Sequence, residues 1–302
     1  MKLEESILKV LVYFDLFNYP LTPNEILLFI EQPLAPDELN NALSKLSAEK
    51  HIYKLDEFIS LQNNYALIER RRTGNQKAAL LLNKAREISK LLYGFPYVRA
   101  IGVSGSVSKN FADEDADIDY FIITKANRLW IARTIMHLFK KNPFLRKRNQ
   151  WYCMNYYVDE AVLEIEEKNI YTATDLITLM PMYGNTGMNN FFAANEWALG
   201  SFPNFYIKKN NEDSDPSPAW IKKIVESLFN NKAGNWLDDY FFRLTTKRWQ
   251  LKEKQGRLNT KGESMGLKTS KHCSKPNPQH FHDNFLKKYE EKLAETKVKW
   301  NL

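Results

Sequence analysis

The chain reads as an α+β protein in three parts: a helical N-terminal unit closed by a short hairpin, a core on a small mixed β-sheet, and a helical, basic C-terminal region. Three observations carry this reading. Helix-period apolar runs and a hairpin fill the first 64 residues, and three strongly apolar strands with helical segments between them occupy the middle. Charge also shifts along the chain. Residues 1–70 carry 6 Lys and Arg against 11 Asp and Glu (net −5), residues 71–207 carry 17 against 13 (net +4), and residues 208–302 carry 20 against 12 (net +8). The divisions expected are 1–64 for the N-terminal unit, 65–96 for a linking helix, 97–205 for the core and 206–302 for the C-terminal region. An acidic head and a basic tail have different partners, or attract each other.

In the first unit, Ile7, Leu8, Val10, Leu11, Val12 and Phe14 fall in a helical run that ends near Asn18-Tyr19-Pro20. Thr22-Pro23-Asn24-Glu25 is a capping box with proline at the first helical position, and it opens a second helix through Ile30. A third helix starts at Pro36-Asp37-Glu38, with Leu39, Leu43 and Leu46 on one face. His51–Leu55 and Phe58–Leu61 make two short strands around Asp56-Glu57. A long helix is expected over Tyr65–Tyr93, ended by Gly94-Phe95-Pro96, and Arg70-Arg71-Arg72 near its start read as a solvated face or an approach to a phosphate.

Strands are expected over Tyr97–Val103, Ile118–Thr124 and Trp151–Val158, with a helix after Asn127. Further helices are expected over Thr172–Leu179, Phe191–Leu199, Trp220–Phe229, Trp236–Leu258 and Lys287–Val298. The polar stretch Gly256–Gln279 reads as a flexible loop. No internal repeat is present.

At 302 residues with 44% apolar composition, the chain has material for about two cored domains. No run approaches the ~20 apolar residues of a membrane span. The acidic start Met1-Lys2-Leu3-Glu4-Glu5-Ser6 has no signal-peptide core, and two distant cysteines, Cys153 and Cys273, make no disulfide framework. A cytoplasmic location without membrane partners is the expectation.

The chemistry is concentrated between Ile101 and Thr124. A buried strand stops at Gly105-Ser106, where glycine lets a ligand approach the backbone and the serine hydroxyl adds a donor for a phosphate oxygen. A short helix is expected after Ser106. Ten residues further on, Asp117-Ile118-Asp119 opens the next strand, and the two carboxylates, two residues apart, leave the same face. Paired carboxylates on a fixed frame are hard oxygen ligands for Mg²⁺, with phosphate oxygens and waters completing the shell. Buried carboxylates without a cation would be costly.

This run resembles the DNA polymerase β-like nucleotidyltransferase superfamily over about residues 97–160: an apolar strand, Gly-Ser, about ten residues, then Asp-apolar-Asp. The resemblance implies that Gly105 and Ser106 hold the β,γ-phosphates of a nucleoside triphosphate and that Asp117 and Asp119 are catalytic and bind Mg²⁺ or Mn²⁺. The three helices and hairpin of residues 5–63 resemble a winged helix-turn-helix, and the whole order resembles bacterial nucleotidyltransferase-domain proteins with such an N-terminal unit. DNA binding is the function the winged-helix likeness implies. Charge argues against it: the would-be recognition helix, Pro36–Glu49, carries Asp37, Glu38 and Glu49 against Lys45 alone.

Enzymes of this superfamily carry a third acid on a later strand. By resemblance Asn155 holds that position, and an amide is a poor base. Asp159 shares its face by parity and lies further out. Weaker signals complete the inventory. Lys140-Lys141, Arg146–Arg148 and the cations from Arg243 to Lys275, with Trp249 among them, suit RNA or a solvated face. His272-Cys273 with His280 and His282 fits no zinc spacing, and His137 reads as a core residue.

The expected function is Mg-dependent transfer of a nucleoside monophosphate from a triphosphate to a hydroxyl-bearing acceptor, whether RNA, protein or small molecule. The alternative is a catalytically weakened nucleotide-binding regulator that signals through its N-terminal unit.

Overall fold

The computed structural model describes residues 3–141, 151–206, 220–258, 266–276 and 281–302. Among them the N-terminal unit comprises α1 (Leu3–Asp15), α2 (Pro23–Phe29), α3 (Pro36–Ala48) and the hairpin β1 (Tyr53–Leu55) and β2 (Phe58–Ser60). The capping box is formed: the Thr22 hydroxyl accepts from the Glu25 N–H, and the Glu25 carboxylate accepts from the Thr22 N–H. Leu21 and Ile59 exchange backbone hydrogen bonds and add a narrow third rung to the hairpin. Ile7, Leu8, Leu11, Ile26, Leu39, Leu43 and Leu46 bury the inward faces of the three helices.

α4 (Ala66–Tyr93) leads into the core. The arginines of its Arg70-Arg71-Arg72 run are each paired. Arg71, 3% exposed, donates to the Pro20 carbonyl and the Glu25 carboxylate. Arg70 grips Asp113 through one nitrogen at 2.8 and 3.0 Å, and Arg72 pairs with Asp56 and Glu57 of the hairpin. The run therefore ties the linking helix to the N-terminal unit and to Asp113, in the segment between Ser108 and Asp119.

The core follows as β3 (Val98–Ser104), α5 (Gly105–Ser108), β4 (Asp119–Thr124), α6 (Leu129–Lys140), β5 (Cys153–Asp159), α7 (Ile170–Ile177), β6 (Met180–Tyr183), α8 (Asn185–Ala194) and α9 (Glu196–Ser201). The C-terminal third gives α10 (Trp220–Leu228), α11 (Lys232–Lys254), β7 (Leu267–Thr269), β8 (Cys273–Pro276) and α12 (Phe281–Trp300). The sheet is mixed and six-stranded in the order β6-β3-β4-β5-β8-β7, with β4 and β5 parallel and joined through α6. One face, with Ile101, Val103, Tyr120 and Ile122, packs against α4 and α6. The other, with Ala100, Phe121, Ile123 and Val158, packs against α7 and α8.

The mixed α/β architecture agrees with the sequence, and three particulars depart from it. The C-terminal region is not purely helical, because β7 and β8 extend the sheet from within the stretch read as a loop. β6 follows the expected Thr172–Leu179 helix where no strand is expected; its Pro181 lies in an edge strand, where a missing N–H is tolerated. The helix expected over Phe191–Leu199 breaks at Asn195, whose side chain bonds the Ile165 N–H and the Leu163 and Phe191 carbonyls.

Head and tail meet. Phe285 and Tyr289 of α12 pack on Tyr13 of α1, Lys292 pairs with Asp15, and Lys297 pairs with Glu5. Among the described residues no helix is long and apolar enough to cross a membrane.

Candidate functional site

β3 ends at Ser104, which lies in register with Asp119, so the start of β4 runs beside the turn that follows β3. Gly105 adopts φ +72°, a left-handed conformation that a side chain disfavours. A Cβ there would lie 2.5 Å from Asp119 Oδ2, so the carboxylate rests on the turn's backbone in space that only glycine leaves open. α5 is a single turn beginning at Gly105, two residues earlier than expected, and it leaves Ser106 exposed.

Ile118 is fully buried in the α4 side of the core. Asp117 and Asp119 flank it and are half-buried. Asp119 lies on the strand face shared with Phe121 and Ile123, toward α7. Both carboxylates act on one point, the Cys153 thiol, which is pushed up to about 12 by burial first, then by the charges of Asp119 and Asp117. The structure thus brings Gly105 and Asp119 together, with Ser106 next to Gly105 in the turn and Asp117 two residues before Asp119 in the chain.

The register moves the third position. Asp119 pairs with Cys153, Tyr120 with Met154 and Phe121 with Tyr156, so Asn155 is the extra residue of a bulge, and its side chain lies outside the described residues. The residue beside Asp119 on β5 is a cysteine that stays a neutral thiol. Asp159 pairs with Thr124 at the other end of the strands. It is fully buried and accepts from the Asn127 N–H at 2.8 Å, the Ala161 N–H at 3.0 Å and His272 Nδ1 at 2.9 Å. It has no access to the turn.

Three groups at the turn escaped the sequence reading. Lys109 donates to the Gly105 carbonyl at 3.3 Å and to Asp175 at 2.7 Å. A cation three residues after Ser106, one helical turn on, is a signal that spacing offered. Asp175 was read only as part of a helix start. Tyr171, on the same helix, has its hydroxyl held well above the usual range by burial, then by the charges of Asp175, Tyr13 and Asp119. Nothing local in sequence announces either. Together with Tyr13, Phe14, Phe17, Tyr19, Arg70 and Phe111, they enclose a cavity of about 190 Å³ that opens on Gly105 and Ser106.

The remaining sequence signals separate. Lys268 and Lys275 pair with Glu167, and Lys271 pairs with Asp238 and Asp239, which draws these cations away from any polyanion footprint. Arg243, Lys247 and Arg248 on α11 are exposed, whereas Arg146–Arg148, Lys261 and His280 lie outside the described residues. His137 Nε2 is buried without a partner, and burial first, then Arg133, Lys140 and Lys141, holds the imidazole down to about 3. Among the described residues no three His, Cys, Asp or Glu side chains gather to hold a metal ion. No family model, no curated protein and no solved structure matches the chain.

Proposed function

We propose that Gly105, Ser106, Asp117 and Asp119 bind a metal–nucleoside triphosphate, and that the protein moves a nucleoside monophosphate from it to a hydroxyl-bearing acceptor. The observation that supports this most is the Asp119 carboxylate lying against the Gly105 backbone, with Asp117 two residues before it in the chain. A turn that presents backbone N–H groups and a hydroxyl beside two carboxylates suits a polyphosphate that arrives with its counter-ion. Two carboxylates are too few to cage a metal alone, and they suit an ion whose shell is completed by phosphate oxygens and waters. Mg²⁺, or Mn²⁺, would supply charge neutralisation at the transferring phosphoryl group.

The chain's own residues then have distinct tasks. The Gly105 and Ser106 backbone and the Ser106 hydroxyl hold the β,γ-phosphates. Lys109 adds positive charge beside them. Asp117 and Asp119 fix the ion. The acceptor oxygen bonds to the α-phosphorus, the bond from that phosphorus to the bridging oxygen of the β-phosphate breaks, pyrophosphate leaves, and the hydroxyl proton passes to a carboxylate or to water.

Within this reading the N-terminal unit, winged-helix-like in element order, is not a strong DNA binder. The single lysine of α3 is committed to Glu4 at 3.1 Å, while Asp37 and Glu38 stay exposed. The neutral Cys153 thiol beside Asp119 favours a second reading, a nucleotide-binding regulator with weakened catalysis. Purified protein incubated with labelled nucleoside triphosphates, Mg²⁺ and cell extract tests the two. Transfer of label to an extract component is expected. Calorimetric binding of Mg-nucleotide with no labelled product in any extract would favour the regulator, and no nucleotide binding at all would overturn both.

A further inference from the structure

The cavity beside the turn is walled by the N-terminal unit as much as by the core. Tyr13 and Phe14 come from α1, Phe17 and Tyr19 from the segment just after it, Phe111 from the loop after α5, and Tyr171 from α7. The rings brace one another: Tyr19 and Phe111 meet edge-on at 5.5 Å, and Tyr13 and Phe17 lie 5.8 Å apart. Phe111 is seated over Gly74 of α4, where any side chain would collide with its ring. Two ion pairs line the cavity as well, Arg70 with Asp113 and Lys109 with Asp175, and they make part of its wall polar.

Size and chemistry narrow the occupant. The cavity measures about 190 Å³. It is below the ~300 Å³ at which drug-sized ligands begin to fit, so it admits one flat ring system and not a whole nucleotide. An aliphatic chain would fill the apolar walls and leave the two ion pairs facing hydrocarbon. A heteroaromatic ring stacks on aromatic faces and carries both donors and acceptors on its edge. The cavity opens on Gly105 and Ser106, so a ring held there is within reach of phosphates on the turn.

We propose that this cavity is a nucleobase pocket, in which the aromatic side chains of α1 and the segment just after it take the heterocycle of a nucleotide whose phosphates lie on the Gly105-Ser106 turn. The proposal rests on the phosphate reading of the turn and goes beyond it, because it makes the N-terminal unit part of the binding site and gives that unit direct sensitivity to nucleotide. Phe17, 39% exposed just after α1, is the wall residue whose loss least disturbs the core.

Calorimetry on the full chain with Mg²⁺ separates the parts. The ligands are inorganic tripolyphosphate, the four common ribonucleoside triphosphates and the corresponding nucleosides. At least one triphosphate is expected to bind more than tenfold tighter than tripolyphosphate. Phe17→Ala is expected to weaken that binding by between about 5-fold and 100-fold, the range that losing one base–aromatic stack gives, and to leave tripolyphosphate unchanged. Tyr171→Phe, which keeps the ring, is expected to retain most of the base-dependent affinity. Equal affinity for tripolyphosphate and every nucleotide, or an unchanged nucleotide affinity in Phe17→Ala, would overturn the pocket while the phosphate reading stands. Nucleosides that bind while tripolyphosphate does not would support the pocket and sink the phosphate reading. Failure of every ligand to bind would overturn both.

Discussion

Asp119 and Asp159 lie at opposite ends of the same two parallel strands, β4 and β5, and have opposite surroundings. Asp159 is fully buried, and its oxygens are met by two backbone N–H groups and a histidine, so it joins β5, β8 and the start of α6. Asp119 is half-buried beside a left-handed glycine, with a second carboxylate near it and a neutral thiol across the strand pair. Residue type and strand parity treat the two alike. What separates them is burial: Asp159 is sealed inside the core and ties strands together, whereas Asp119 stays half-exposed at the turn, and on the reading proposed above that exposure suits it to an external cation.

The largest effect expected from this contrast is on activity. Asp119→Asn and Asp117→Asn should each cut nucleotidyl transfer more than about 100-fold, since each removes a charged ligand from a step where the ion contributes several kcal/mol. Their melting temperatures should change little, because Asn is nearly isosteric and relieves repulsion between the pair. The comparison breaks if either variant unfolds at 25 °C or retains wild-type turnover in the extract assay.

Next in size is the structural end. Asp159→Ala leaves two backbone donors and His272 facing a void, a change of the kind that costs about 3–5 kcal/mol. Urea denaturation should report the loss as a lower midpoint, while the protein that remains folded keeps its nucleotide affinity. A midpoint equal to wild type would remove Asp159 from the structural class.

The sequence disclosed these two ends unequally. Gly105-Ser106 and Asp117-Ile118-Asp119 were legible because strand parity and turn chemistry are local, and the capping box at Thr22 was legible for the same reason. Lys109 stood within reach of the same reasoning. The walls of the cavity did not, since residues 13–19, 105–113 and 171–175 meet only through the fold. β7 and β8 escaped because three or four residues, most of them Lys, Ser and Thr, are too few to carry an apolar alternation. The bulge at Asn155 was invisible because register is set by the pairing partner. α10 inverts the usual rule: Lys222 is buried on the Tyr93 and Val98 carbonyls and Glu226 grips Arg99, while Trp220, Ile221 and Leu228 face outward. Periodicity identifies such a helix but not which side faces in.

A third test, of intermediate size, concerns a buried group with no partner. The His137 imidazole is held down to about 3 by burial and by neighbouring cations, against 6.5 for an unburied histidine. Between those values the unfolded chain binds the proton and the native chain does not. The stability present above pH 6.5 therefore declines as pH falls, by about 2 kcal/mol at pH 5. His137→Leu should flatten that part of the stability–pH curve. An unchanged curve would show that His137 is not the group responsible.

Smaller again is Gly105→Ala. A side chain in the left-handed region costs about 1–2 kcal/mol, and the added methyl would push Asp119 from the turn. A modest fall in melting temperature should accompany a larger fall in transfer. A fall in stability alone would mean that the position of Asp119 against the turn does not matter to function.

The smallest expected effect is at Cys153, and it probes why a thiol stands beside Asp119. Burial and the two nearby carboxylates push it up to about 12, so at neutral pH it contributes no charge. Cys153→Ser should leave transfer within about threefold of wild type and leave its pH profile unchanged between 6 and 9. A shift in that profile would mean the thiol ionises during turnover. Cys153→Asp is the sharper variant, because the register places the new carboxylate beside Asp119. Without divalent ions a third negative charge should lower the melting temperature through repulsion. Adding Mg²⁺ with nucleotide should recover the loss and stabilise the variant by more than it does wild type. Asn155→Asp, at the bulge, should show a weaker response or none. A larger Mg-dependent gain for Asn155→Asp than for Cys153→Asp would mean that the bulge, and not the paired register, sets the position of a third acid.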